Sequence, residues 1–84
     1  MSIESSIREF ILENYLFTDD ETLLQNDVSL IENGIIDSTG ILEVIEFIQN
    51  EFEIKVEDDE MIPENLDSVD RIVAYLGRKG AKEQ

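Results

Sequence analysis

The sequence predicts an all-α fold: a bundle of three main helices and one short helix, with a long first loop. Three observations lead there. Apolar residues recur at helical spacing in three separate segments, and Asn, Asp, Gly and Pro punctuate the chain between them. The 84 residues, 42% of them apolar, contain no internal repeat and no low-complexity stretch, which fits one small domain. That domain is expected over residues 1–79, with 80–84 as a frayed tail.

The first helix is read from Ile3, Ile7, Phe10 and Ile11, at offsets 0, 4, 7 and 8, with Glu4, Arg8, Glu9 and Glu13 turned outward. Ser2 can cap its start, and the pattern ends near Asn14 and Tyr15. Residues 16 to 36 show no sustained period, and Leu23, Leu24, Val28, Leu30 and Ile31 are expected to pin them to a core. A connection of that length in a small domain usually has a task. Asn33-Gly34 supplies a turn before the second helix, which is predicted over 38 to 52 from Ile41, Ile45, Ile48 and Phe52. The acidic run Glu57-Asp58-Asp59-Glu60 can begin one short helical turn, and Pro63 is read as a connector. The last helix opens at Asp67 or Ser68 and carries Val69, Ile72, Val73 and Leu76. Gly77 and Gly80 can stop it, and Arg78, Lys79 and Lys82 suit the negative end of its dipole.

The charge excludes some functions. Asp and Glu number 21 against 6 Lys and Arg, a formal charge of −15. Phosphate binding needs clustered cations, so nucleic acid is not an expected partner. Self-repulsion favours a monomer drawn toward basic protein surfaces. The chain has neither Cys nor His. Disulfides, zinc sites and the usual Ser-His or Cys-His nucleophile pairs are therefore ruled out, and no metal site is expected. The start, Met1-Ser2-Ile3-Glu4, lacks the regions of a signal peptide, and no apolar run approaches a membrane span. The expected address is cytoplasmic.

Ser38 is the residue of chemical interest. It follows Gly34-Ile35-Ile36-Asp37 and stands at the start of the second helix. By spacing alone, Asp37 or Ser38 is an N-cap. A catalytic serine would need a base that the surrounding sequence does not supply, so no enzyme activity and no catalytic residue are expected. Ser38 can be acted upon rather than act.

The wider pattern adds to this. The run Leu30-Ile31-Glu32-Asn33-Gly34-Ile35-Ile36-Asp37-Ser38, followed by Glu43, Phe47-Ile48 and Phe52, resembles the acyl carrier protein family. Pro63-Glu64-Asn65-Leu66-Asp67-Ser68-Val69, with Ile72 and Tyr75-Leu76, resembles that family's final helix and its approach. The likeness covers residues 3 to 76. It implies an acyl-carrier-like bundle with 4′-phosphopantetheine attached at Ser38 by a phosphopantetheinyl transferase acting on coenzyme A. The arm's thiol would hold acyl, aminoacyl or peptidyl groups as thioesters. The implied partners are that transferase, an adenylating acyl or aminoacyl ligase, and downstream acyl-transfer or condensing enzymes.

Thr39 and Gly40 depart from the family, which usually carries an aliphatic residue and then an acid or similar after the serine. Thr39, Leu42 and Glu46 form one helical stripe that is more apolar in carriers of fatty acid synthesis. The expected setting is therefore a specialised biosynthetic pathway. Docking is expected to use Asp37, Thr39, Leu42, Glu43 and Glu46, although a merely solvated face is the alternative for Glu43 and Glu46 and the preferred reading for Glu51. Phe47, off the core stripe, is expected to pack under the long loop, the alternative being a partly exposed contact residue. The Glu57 to Glu60 run lacks the Gly and alternating acids of an EF-hand. The alternative function is an acidic helical interaction module without a prosthetic group.

The uncompensated charge predicts that stability rises with ionic strength and with millimolar divalent cations, most strongly around Glu57-Asp58-Asp59-Glu60 and the outer face of the second helix. Thermal melting across low to moderate salt checks this. A flat melting temperature would mean that the acids are already well paired.

Overall fold

A computed structural model describes residues 2–81, and among them every regular element is helical. Helix α1 spans Ile3–Ile11, α2 Ser38–Phe52, α3 Pro63–Leu66 and α4 Val69–Arg78. Both α1 and α3 pack against α4. Ile3, Ile7, Ile11, Val44, Ile45, Ile48, Phe52, Val69, Ile72 and Leu76 bury their side chains in one core. The predicted stripes are there, with one addition. Val44 is fully buried and Ile41 only partly, so the buried face of α2 is rotated slightly toward Val44.

Local chemistry sets the ends. The Ser5 amide donates to Ser2 Oγ at 3.0 Å, capping α1. The α-helix stops at Ile11 and a π-helical turn, Leu12–Leu16, continues it. Phe17 closes that turn in the left-handed region at φ 53°. Ser68 Oγ accepts from the Arg71 amide at 3.1 Å and caps α4. Gly77 lies inside α4, so it does not stop the helix as expected. Gly80, at φ 76°, makes the terminal turn, and the Ala81 amide donates to the Leu76 carbonyl at 3.0 Å. Residues 82–84 of the expected tail, and Lys82 with them, lie outside the described residues.

Three expectations need correction. Arg8 does not face solvent. Its guanidinium donates to the carbonyls of Leu24 and Glu21, both at 2.8 Å, and to Asn26 Oδ1, so it fastens the long loop to α1. Phe47 packs on α1 rather than under that loop: its ring stacks on Phe10 at 4.1 Å and meets Phe52 edge-on at 6.4 Å. Pro63 is more than a connector, since it occupies the first turn of α3, where a missing N–H costs nothing. Leu24 and Leu30 do pin the loop, whereas Leu23 and Ile31 remain exposed.

The far end of the loop is held by Asp67. This buried carboxylate accepts the Ser29 hydroxyl at 2.6 Å and the Ile31 amide at 3.0 Å, while its carbonyl accepts the Leu30 amide at 2.8 Å. The Asp70 amide donates to the Asn26 carbonyl at 3.0 Å. At the other end of α4, Glu60 Oε1 gathers the Glu57 amide, the Tyr75 hydroxyl and Lys79 Nζ, each at 3.0 Å. Those donors, led by the Glu57 amide, hold the Glu60 carboxyl below its ordinary range. Burial, helped by Glu60, pushes the Tyr75 phenol up to about 12. The acidic run Asp58–Glu60 thus closes as a single 3₁₀ turn.

Candidate functional site

The loop delivers the chain to α2 through a tight turn. Gly34 takes φ 71°, its amide donates to the Ile31 carbonyl at 3.0 Å, and the amides of Ile35 and Ile36 both donate to the Leu30 carbonyl. Ile36 is then buried, which fixes where Asp37 and Ser38 emerge. Asp37, not Ser38, is the N-cap: its Oδ1 accepts the Gly40 amide at 2.7 Å. Ser38 is the first residue of α2 and is exposed. By helix geometry the Ser38 and Thr39 amides have no acceptor within α2, so the positive end of its dipole opens here.

Ser38 stands on the rim of a groove of about 260 Å³ between α2 and α3. Ile41, Leu42 and Ile45 line one side, and Met61, Ile62 and Leu66 the other. Its lining is mainly apolar, and no Lys or Arg contributes to it. Leu42 is 60% exposed, and Ile31, Met61 and Ile62 are also substantially open, so an apolar rim surrounds the serine. Nothing in the sequence pattern marked Met61 and Ile62 for this role, because lone apolar residues between helices have no periodicity to read.

The expected docking residues divide between two flanks. Ser38 and Leu42 border this groove, whereas Glu43 and Glu46 line a hollow on the α1 side of α2. Asp37, Thr39, Leu42, Glu43 and Glu46 are all exposed, and Glu51 is half-buried. Glu43 has an internal partner: the Tyr15 hydroxyl donates to its Oε1 at 2.5 Å and lies 3.3 Å from the Gly40 carbonyl oxygen. Burial first, and Glu43 second, push the Tyr15 phenol well above its ordinary range.

Ile36 first, and Tyr15 second, explain Gly40. A Cβ there would sit 2.7 Å from Ile36 Cγ2, 3.1 Å from the Tyr15 ring and 3.3 Å from Asp37 Oδ1. The absence of a side chain lets α2 begin against the π-turn and the buried end of the loop.

Compared with known proteins, the chain matches no family model and no curated protein sequence. The geometry around Ser38 is what supports a function.

Gly40→Ala and Gly77→Ala should have opposite effects. Both are helical, and alanine is favoured by about 1 kcal/mol in a helix. At Gly77 nothing lies within 4 Å of the added methyl, so stability should rise. At Gly40 overpacking of about 1–3 kcal/mol should outweigh the gain. Urea unfolding of the two variants measures the contrast; equal shifts would show that Gly40 is not tightly packed.

Proposed function

We propose that this chain is a carrier domain, not itself an enzyme, that receives 4′-phosphopantetheine on Ser38 and presents thioester-bound acyl or aminoacyl groups to partner enzymes. The observation that carries the reading is an exposed serine at the N-terminus of a 15-residue helix, on the rim of an apolar groove. A phosphodiester on Ser38 Oγ would lie beside two amides without helical acceptors, where helix geometry favours an anion. Once attached, the arm would supply the thiol that this cysteine-free chain lacks.

The chain's own residues hold and expose the serine. Asp37 serves as the cap through Oδ1, and among the described residues no hydrogen bond joins its carboxylate to the Ser38 hydroxyl. Activation of that hydroxyl therefore falls to the transferase. Leu42, Ile31, Met61 and Ile62 offer apolar contact around the attachment point, and Asp37 and Glu46 offer charge to basic partners such as the transferase, an adenylating ligase and downstream acyl-transfer or condensing enzymes. The polar Thr39 and Glu46 on the outer stripe favour a specialised biosynthetic pathway over bulk fatty acid synthesis. A soluble cytoplasmic monomer suits this role; among the described residues no helix is long and apolar enough to cross a membrane. The second reading, an acidic helical module that binds basic proteins without a prosthetic group, draws on the same apolar rim and the charge of −15.

Incubation with coenzyme A and a broad-specificity phosphopantetheinyl transferase, read by intact mass, separates the two. The carrier reading predicts one added phosphopantetheine on the natural chain and none on Ser38→Ala. That variant should keep its stability within about 0.5 kcal/mol, because the cap is Asp37. No adduct under conditions that load another carrier would favour the interaction module. An adduct on Ser38→Ala would refute the site.

A further inference from the structure

The outer face of α1 carries a concave surface away from the Ser38 groove, adjoining the hollow of Glu43 and Glu46, with which it shares Phe10, Asn14 and Phe47. Glu9 and Glu13, one turn apart and both exposed, form a ridge between two hollows. On one side, a hollow of about 170 Å³ is lined by Phe10 and Phe47, whose stacked rings lie 4.1 Å apart, and by Asn14, Ser6 and the half-buried Glu51. On the other, a hollow of about 330 Å³ separates the ridge from Asp19 and Glu21 of the loop. The described cations are committed elsewhere. Arg8 holds the loop, Lys55 lies beside Glu57, and Arg71, Arg78 and Lys79 serve the α3–α4 end. Neither Glu9 nor Glu13 has an ion-pair partner among the described residues.

A second, independent observation comes from Ser6. It is 4% exposed, and its hydroxyl has no hydrogen-bond partner, although buried hydroxyls nearly always find one. Asn14 spends its side-chain N–H on the Phe10 carbonyl at 2.9 Å, which leaves its Oδ1 to accept. An aromatic wall, two carboxylates without ion-pair partners and an amide oxygen therefore meet in one hollow, with the orphan Ser6 hydroxyl buried in its wall.

We infer that this face docks an arginine-bearing segment of a partner protein, with one guanidinium seated in the smaller hollow. A guanidinium stacks flat on an aromatic ring and offers a fork of donors to carboxylates, which an ammonium cannot do in the same geometry. A protein segment fits better than a small amine because the acids continue across the ridge to Asp19, where a flanking cation would rest beside Glu21, whose carboxylate already meets Arg8 at 3.5 Å. The inference requires no modification of Ser38, so it stands or falls separately from the carrier reading.

The test is an amide NMR titration of the unmodified chain with capped tetra-arginine, capped tetra-lysine and spermine. Tetra-arginine should shift the amides of residues 6 to 14 and of Phe47 first. It should bind about fivefold more tightly than either other cation. Glu9→Gln with Glu13→Gln, both exposed and so compatible with folding, should weaken it about tenfold. Asp58→Asn with Asp59→Asn, the same charge change in the exposed 3₁₀ turn, should leave it within about twofold. Equal affinity for all three cations, or equal losses from the two double variants, would reduce the binding to diffuse charge attraction and overturn the inference. Shifts centred on the rim of the Ser38 groove would overturn it too, by placing the cation elsewhere.

Discussion

The structure depends on one buried carboxylate. Asp67 sits at the junction of α3 and α4, yet its bonds go to Ser29 and Ile31, more than thirty residues away in sequence. A long loop whose regular structure is one 3₁₀ turn, Glu21–Leu23, carries a closure entropy, and hydrophobic contacts at Leu24 and Leu30 do not by themselves fix its path. Charge-assisted bonds to a buried acceptor are directional and strong enough to select one path. With Arg8 gripping the first half of the loop and Asp67 the second, the segment before α2 has little freedom left.

The candidate site inherits that order. Once Leu30 is placed, its carbonyl receives the Ile35 and Ile36 amides, Gly34 completes the reversal, and Asp37 caps α2 one residue before Ser38. The Tyr15 ring, brought over by the π-turn at the end of α1, meets Gly40 from the opposite side. Ser38 is thus exposed on a rigid support. Its neighbours across the groove, Met61 and Ile62, come from the segment that leads into α3, and Asp67 is the C-cap of α3. The acid that orders the loop also closes the element facing the serine.

Much of this was legible in the sequence and some was not, for physical reasons. The three apolar stripes, the Ser2 and Ser68 caps and the Asn33-Gly34 turn follow from local periodicity and turn chemistry, and all are present. Val44 lay within reach of the same reasoning, since it falls three residues after Ile41 on the helical repeat. The tasks of Arg8 and Asp67 did not. Each looks like an ordinary surface charge until the loop is folded over it, because their partners lie far along the chain: two backbone carbonyls, Asn26 and the Glu21 carboxylate for Arg8, an amide and a hydroxyl for Asp67. The π-turn has no composition of its own. Phe47 was misplaced because the stripe describes one face of α2, while the aromatic stack forms on the neighbouring face toward α1. Asp37, Ser38 and Gly40 were visible as a group, but Gly40 became intelligible only with the Ile36 methyl and the Tyr15 ring packed against it.

Native-state amide hydrogen exchange of the natural chain beside Asp67→Ala tests the dependence of the site on this carboxylate most directly. The account predicts that the Leu30, Ile31, Ile35 and Ile36 amides are protected in the natural chain. In the variant all four should lose protection together, while Ile72 and Leu76 in α4 keep theirs relative to the new global stability. Fast exchange at Ile31 in the natural chain, or an unchanged pattern at these four amides in the variant, would contradict the claim that Asp67 sets the path of the loop and the position of Ser38.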